Sequence, residues 1–150
     1  MKVRVFKNSK ELGKAAAKYS AYILNEAISN NNNARLLLST GASQFDTLKA
    51  LVKENIDWRK VEMFHLDEYI GLPESHPASF RKYLKERFTN IVHPKKFYFV
   101  KDEGNIEQNI EEFTKEIRRQ QIDLGLIGIG ENGHIAFNDH LRILKQERHI

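Results

Sequence analysis

Apolar positions along the chain switch repeatedly between two periods. Lys2 to Phe6 alternates polar and apolar residues, which predicts a first strand. Leu12, Ala15, Ala16, Tyr19, Ile23 and Ala27 then recur at helical spacing behind Ser9 as N-cap, and the run Asn30 to Asn33 ends that helix. Ala34 to Ser39 is apolar almost without alternation, as in a strand covered on both faces. The pattern next predicts a helix over about Gln44 to Glu54, a turn carrying Trp58 and capped by Asp57, and a strand over Val61 to Leu66. An irregular segment, 67–78, precedes a helix near Ser79 to Phe88 whose Phe80, Tyr83, Leu84 and Phe88 face inward. A brief strand at Phe97 to Val100, a helix with the stripe Ile106, Ile110, Phe113 and Ile117, and a strand at Asp123 to Ile127 complete the pattern. Strand and helix signals in alternation predict an α/β domain: a Rossmann-like open parallel sheet with helices on both faces.

In such a sheet the loops after the strands open at the carboxyl edge, where ligands bind. Three loops there carry complementary chemistry. Ser39-Thr40-Gly41-Ala42-Ser43 offers hydroxyls and backbone N–H groups ahead of a helix, an arrangement that suits an anion such as phosphate. It lacks the lysine and spacing of a P-loop, and an ordinary helix cap explains it equally well. Asp67 and Glu68 stand at the end of a strand, as a capped turn or as a general base held by partial burial. His65, Asp67 and His134 form a weaker alternative as metal ligands, since nothing else supplies a fixed ligand set. The third loop, Gly128-Ile129-Gly130-Glu131-Asn132-Gly133-His134, matches the spacing of the dinucleotide fingerprint, but a helix start after its third glycine is poorly signalled.

Composition narrows the field. At 150 residues the chain fits one domain, and 41% hydrophobic with 29% charged residues suits a globular one. Net charge is +4, yet the basic residues mingle with acidic ones, as in Lys82, Lys85, Glu86 and Arg87, so a nucleic-acid partner is not expected. No apolar run approaches the roughly 20 residues of a membrane span, so no membrane partner is expected either. The absence of cysteine removes disulfide and thiolate chemistry and fits the cytoplasm.

Taken in order, Leu66-Asp67-Glu68-Tyr69-Ile70-Gly71-Leu72-Pro73, then His76-Pro77 and Ser79-Phe80, then Gly128 to Asn138 resemble the glucosamine-6-phosphate deaminases. The related 6-phosphogluconolactonases share the Gly-rich-His motif but typically continue with Ser-Leu-Phe-Pro, where this chain reads Ile135-Ala136-Phe137-Asn138. The resemblance runs over 1–139, leaves 140–150 as an unmatched tail, and implies a sheet incomplete at the C-terminus. It implies conversion of glucosamine 6-phosphate, or a galactosamine isomer, to the ketose phosphate and ammonia, with no metal or organic cofactor. By position it makes Asp67 the proton-transfer base and His134 the ring-opening group. Asn132 and Asp139 flank the histidine where known members have Asp and Glu; Asn132 can accept from the imidazole but cannot stabilise its cation by charge. Ser39, Thr40, Gly41, Ala42 and Ser43, with Gly128 and Gly130, become the sugar-phosphate-binding residues, and a homo-oligomer is in keeping with the family. The alternative is a truncated, inactive remnant that at most binds a sugar phosphate or a full-length relative.

Overall fold

A computed structural model describes residues 2–101 and 103–138. Helix α1 spans Ser9–Asn31 and is followed by strand β1, Ala34–Leu38. A 3-10 turn at Ala42–Gln44 leads into α2, Phe45–Leu51, and a second at Trp58–Lys60 into β2, Val61–His65. Helix α3, Phe80–Leu84, continues as a π-helical turn, Lys85–Thr89, and a short α4, Asn90–Val92. Strand β3, Lys96–Tyr98, helix α5, Ile106–Arg118, and strand β4, Leu124–Leu126, follow.

The sheet is parallel throughout, in the order β3-β2-β1-β4. The chain moves outward from β1 through β2 to β3, then crosses back to place β4 on the other side of β1. The reversal lies between β1 and β4, and the crevice outside their carboxyl ends is where open α/β sheets bind ligands. Register carries this down to residues. Leu38 pairs with both His65 and Leu126, so the loops beginning at Ser39, Leu66 and Ile127 leave the sheet side by side.

Successive strand residues point to opposite faces. One face carries Ala34, Leu36, Leu38, Val61 and Met63, all fully buried, into the main core with Ala17 and Leu24 of α1, Leu48 and Leu51 of α2, and Leu84 and Phe88. At about 25 cal/mol per Å² of apolar surface, that burial drives folding. On the other face Phe64 meets Phe113 of α5 edge-on at 5.9 Å. Helices thus cover both faces, as the pattern predicts. The second face is polar at its centre: Arg35, 1% exposed, donates to the carbonyls of Glu116 at 2.6 Å and Ile117 at 3.1 Å, capping the end of α5. Buried Glu62 lies 2.7 Å from Arg119, 3.1 Å from Lys95 and 3.5 Å from Arg35. A buried arginine is tolerated there because carbonyls and a carboxylate surround it.

Three expectations change. Lys2 to Phe6 is no strand: Val3 and Val5 are 74% and 90% exposed, while Lys2, Arg4 and Phe6 lie beside Leu12, Ala15 and Tyr19 of α1. Period-two alternation predicts one covered face, but here the apolar Val3 and Val5 stay exposed and it is the Lys2, Arg4 and Phe6 side that lies toward α1. The α5 stripe is only half-buried, with Ile110 at 55% exposure. The N-cap of α1 is Asn8, which accepts from the Glu11 N–H at 2.9 Å, one residue before the predicted Ser9.

Candidate active site

At the β1–β4 reversal the backbones are pinned together. The Ser39 N–H donates to the Leu126 carbonyl at 2.9 Å, and Ser39 Oγ, itself buried, accepts from the Gly128 N–H at 2.8 Å. A β-carbon on Gly128 would contact Ser39 Oγ at 3.4 Å and Ser43 Oγ and Gln44 Nε2 at 3.6 Å. The missing side chain therefore leaves an opening lined with two hydroxyls and an amide. From the far side, the Tyr83 hydroxyl donates to the Gly41 carbonyl at 3.0 Å and anchors the first loop to α3.

The neighbouring Asp67 and Glu68 do different work. Glu68 is buried and accepts from the N–H groups of Tyr69, Phe80 and Arg81 at 3.0, 3.1 and 2.8 Å, from Ser79 Oγ at 3.2 Å and from Arg81 Nε at 3.3 Å. Burial pushes its carboxyl up, but these donors outweigh burial and hold it below the ordinary carboxylate value. Arg81 also donates to the Leu72 carbonyl at 3.0 Å, closing the irregular segment back onto α3. With Glu68 committed to the helix start, Asp67 is left facing the crevice. Burial first, and the charge of Glu68 second, raise its carboxyl.

His65 sits under this segment with its back to the crevice. It is 1% exposed, its Nε2 accepts from the Val100 N–H at 2.7 Å, and burial depresses it to about 4. It does not line the crevice beside Asp67 and His134, and among the described residues no group of His, Asp and Glu is placed to hold a metal ion, which removes the alternative built on those three.

His134 arrives on the third loop. Gly133, at φ +83°, makes the turn that lets the Gly130 N–H donate to the His134 carbonyl at 2.9 Å. Asn132 Oδ1 accepts from the His134 N–H at 3.3 Å and lies against the ring Nδ1. An amide oxygen can only accept, so Nδ1 carries the proton and Nε2 is the basic nitrogen of the neutral ring. A β-carbon on Gly130 would run into that imidazole. No helix begins between Gly133 and Asn138, so the dinucleotide geometry is not met here.

These parts enclose a cavity of about 390 Å³. Of the residues singled out by sequence, Ser39, Thr40, Ser43, Asp67, Gly128, Gly130 and His134 line it. Gly41 and Ala42 do not: Gly41 turns its carbonyl to Tyr83, and Ala42 opens the 3-10 turn. Asn132 lies behind the histidine ring, and Asp139 falls outside the described residues. Sequence reasoning missed an aromatic wall. Tyr69 lies 5.1 Å from Phe80 and 5.0 Å from Phe137, with Phe80 and Phe137 stacked at 6.0 Å, and all three line the cavity. Each stands inside one of the conspicuous segments 66–73, 79–80 and 128–138, but nothing in their spacing shows that they meet.

A family model for glucosamine-6-phosphate isomerases and 6-phosphogluconolactonases matches residues 7–149. The chain belongs to this family. Among its isomerase/lactonase relatives, a glucosamine-6-phosphate deaminase of Clostridium beijerinckii is 33% identical over 158 aligned positions, covering 100% of this chain and 64% of that protein. One from Streptococcus pneumoniae is 34% identical, covering 93% and 57%. The chain thus spans roughly three-fifths of the curated relatives that it matches. A solved monomeric glucosamine-6-phosphate deaminase superimposes with TM-score 0.81 at 27% identity, over 90% of this chain and 58% of that one. A 6-phosphogluconolactonase of Thermotoga maritima gives the same TM-score at 18% identity, which shows the shared fold. Among the described residues, no helix is long and apolar enough to cross a membrane.

Proposed function

We propose that this crevice binds an amino-sugar phosphate of the glucosamine 6-phosphate type and converts it to the ketose phosphate with loss of ammonia. The observation that carries this reading is that Asp67, His134 and the Ser39–Ser43 loop meet in one cavity at the sheet's reversal point. The hydroxyls of Ser39, Thr40 and Ser43 take the phosphoryl group, leaving the sugar carbons between the carboxylate and the imidazole.

The chemistry follows from what each group can do. Nε2 of neutral His134 accepts the anomeric hydroxyl proton and returns it to the ring oxygen, opening the sugar to its aldehyde. Asp67 then removes the proton from C2; the electron pair of that bond forms the C1–C2 double bond of an enolamine as the C1 carbonyl pair moves to O1, which takes a proton from the C2 ammonium. Returned to C1, the proton leaves an iminium at C2. Water adds there, and the amine departs as ammonia. A carboxylate of raised pKa is a stronger base for the C2 step than an exposed one. Tyr69, Phe80 and Phe137 shield one side of that step from water.

The test is ammonia release from glucosamine 6-phosphate by the purified chain, beside Asp67→Asn. Release that disappears in the variant supports the reading. Binding of the sugar phosphate without release assigns this chain a binding role alone, and no binding removes the proposal.

A further inference from the structure

Opposite the sheet edge, α1 and α2 enclose a second and larger cavity, of about 690 Å³, whose walls carry Lys10, Lys14, Lys18, Lys49 and Lys53. The lysines are spread over more than forty positions of sequence and look there like a mixed, solvated surface. The fold collects them. Lys10, Lys14 and Lys18 recur every four residues along one face of α1, while Lys49 lies in the last turn of α2 and Lys53 in the turn that follows it. Close helix contact brings the rows together: a β-carbon on Gly13 would come within 2.6 Å of the Asp46 backbone, so only glycine allows this approach.

The electrostatics of this groove are unresolved within the chain. Like charges four residues apart on a helix repel, and among the described residues none of the five lysines forms an ion pair. Glu11, Asp46 and Glu54 share the lining but leave it net positive, and Glu11 and Asp46 sit in the first turns of their helices, where the dipole favours a carboxylate. Between the rows the floor is Ala15 and Ala50, which leave depth, and Phe6 stands at the wall as an apolar surface.

We propose that this groove is a binding site for a compact polyanion, of the class of a nucleoside triphosphate, separate from the sugar-phosphate crevice. Lysine suits phosphate as a mobile point charge. Two lysine rows facing each other match adjacent phosphates better than a single one. Eight residues of helix extend only about 12 Å, so the cationic surface is short. The interspersed carboxylates repel a long polymer that runs past it. A cavity of this size lies within the range of small-molecule sites, about 300–1,000 Å³.

Calorimetric titration with ATP and with inorganic triphosphate tests the site, with inorganic phosphate and a short single-stranded oligonucleotide as comparisons. The expected result is saturable binding of both triphosphates, weaker at high salt. Lys14→Glu/Lys49→Glu should weaken it at least about tenfold, and Lys14→Gln/Lys49→Gln less so. Lys115→Glu/Arg118→Glu on α5, an equal change of charge elsewhere, leaves it unaltered. Asp67→Asn and saturating glucosamine 6-phosphate should also leave it unaltered, which separates this site from the crevice. Equal affinity in the charge-reversed protein, displacement by the sugar phosphate, or preference for the oligonucleotide over triphosphate overturns the proposal. Every variant changes an exposed or half-buried side chain, and matching circular dichroism spectra confirm that the fold is retained.

Discussion

Asp67 and Glu68 are adjacent and chemically alike, yet their surroundings separate them. Five donors hold Glu68, and its charge in turn raises Asp67. Replacing Glu68 by Gln should therefore lower the Asp67 pKa and move the acid limb of any pH–rate profile to lower pH. The same change should cost on the order of 3 kcal/mol of stability, because buried Arg81 loses its counter-charge. Urea unfolding and the pH profile read the two effects separately. At Gly130, Ala should displace the imidazole and abolish ring opening while leaving the unfolding midpoint nearly unchanged, since the loop is at the surface; activity and urea denaturation together check this. His65 makes a different prediction. Its folded pKa of about 4 lies below its unfolded value near 6.5, so between these limits the unfolded chain binds more protons. Stability should be full above pH 6.5 and fall as pH drops towards 4, by up to about 3 kcal/mol. His65→Gln, which keeps an acceptor for the Val100 N–H, should flatten that slope in denaturation curves at pH 7 and pH 5.

Elements were legible where one face packs and blurred where two partners compete. The strands at Ala34–Leu38 and Val61–His65 follow from their mainly apolar runs, although Arg35 and Glu62 interrupt them. The arm at Lys2 to Phe6 has equally good alternation but no place in the sheet, because period alone does not say what covers the face. The helix expected over Ser79 to Phe88 runs on through a π-helical turn to Val92, a change of hydrogen-bond register with no compositional mark. In the site, glycine spacing and the histidine could be read directly, whereas the aromatic wall depends on tertiary contact between separate loops. Gly13 is the clearest case at this scale, since nothing in the helical pattern marks it as a contact point. Gly13→Ala improves local helix propensity by about 1 kcal/mol, yet it should lower the thermal midpoint, because α2 must move away. Overpacking of this type costs about 1–3 kcal/mol, and a thermal melt that rose instead would remove the close-contact argument.

For the molecule as a whole, topology does the positioning. Placing β4 beside β1 brings a loop from the N-terminal third against one that follows residue 127, and neither forms a site alone. It also leaves β4 at the end of the described sheet, half-buried at Leu124 and Leu126. The central claim is that Asp67 moves a proton at C2 of a sugar held in this crevice. The most direct measurement is incubation of the chain with glucosamine 6-phosphate in deuterium oxide, followed by NMR at C1 and C2. Deuterium is expected at C2 of recovered substrate or C1 of the ketose product, and none with Asp67→Asn. Equal incorporation by both proteins, or ammonia release without any dependence on Asp67, would contradict it.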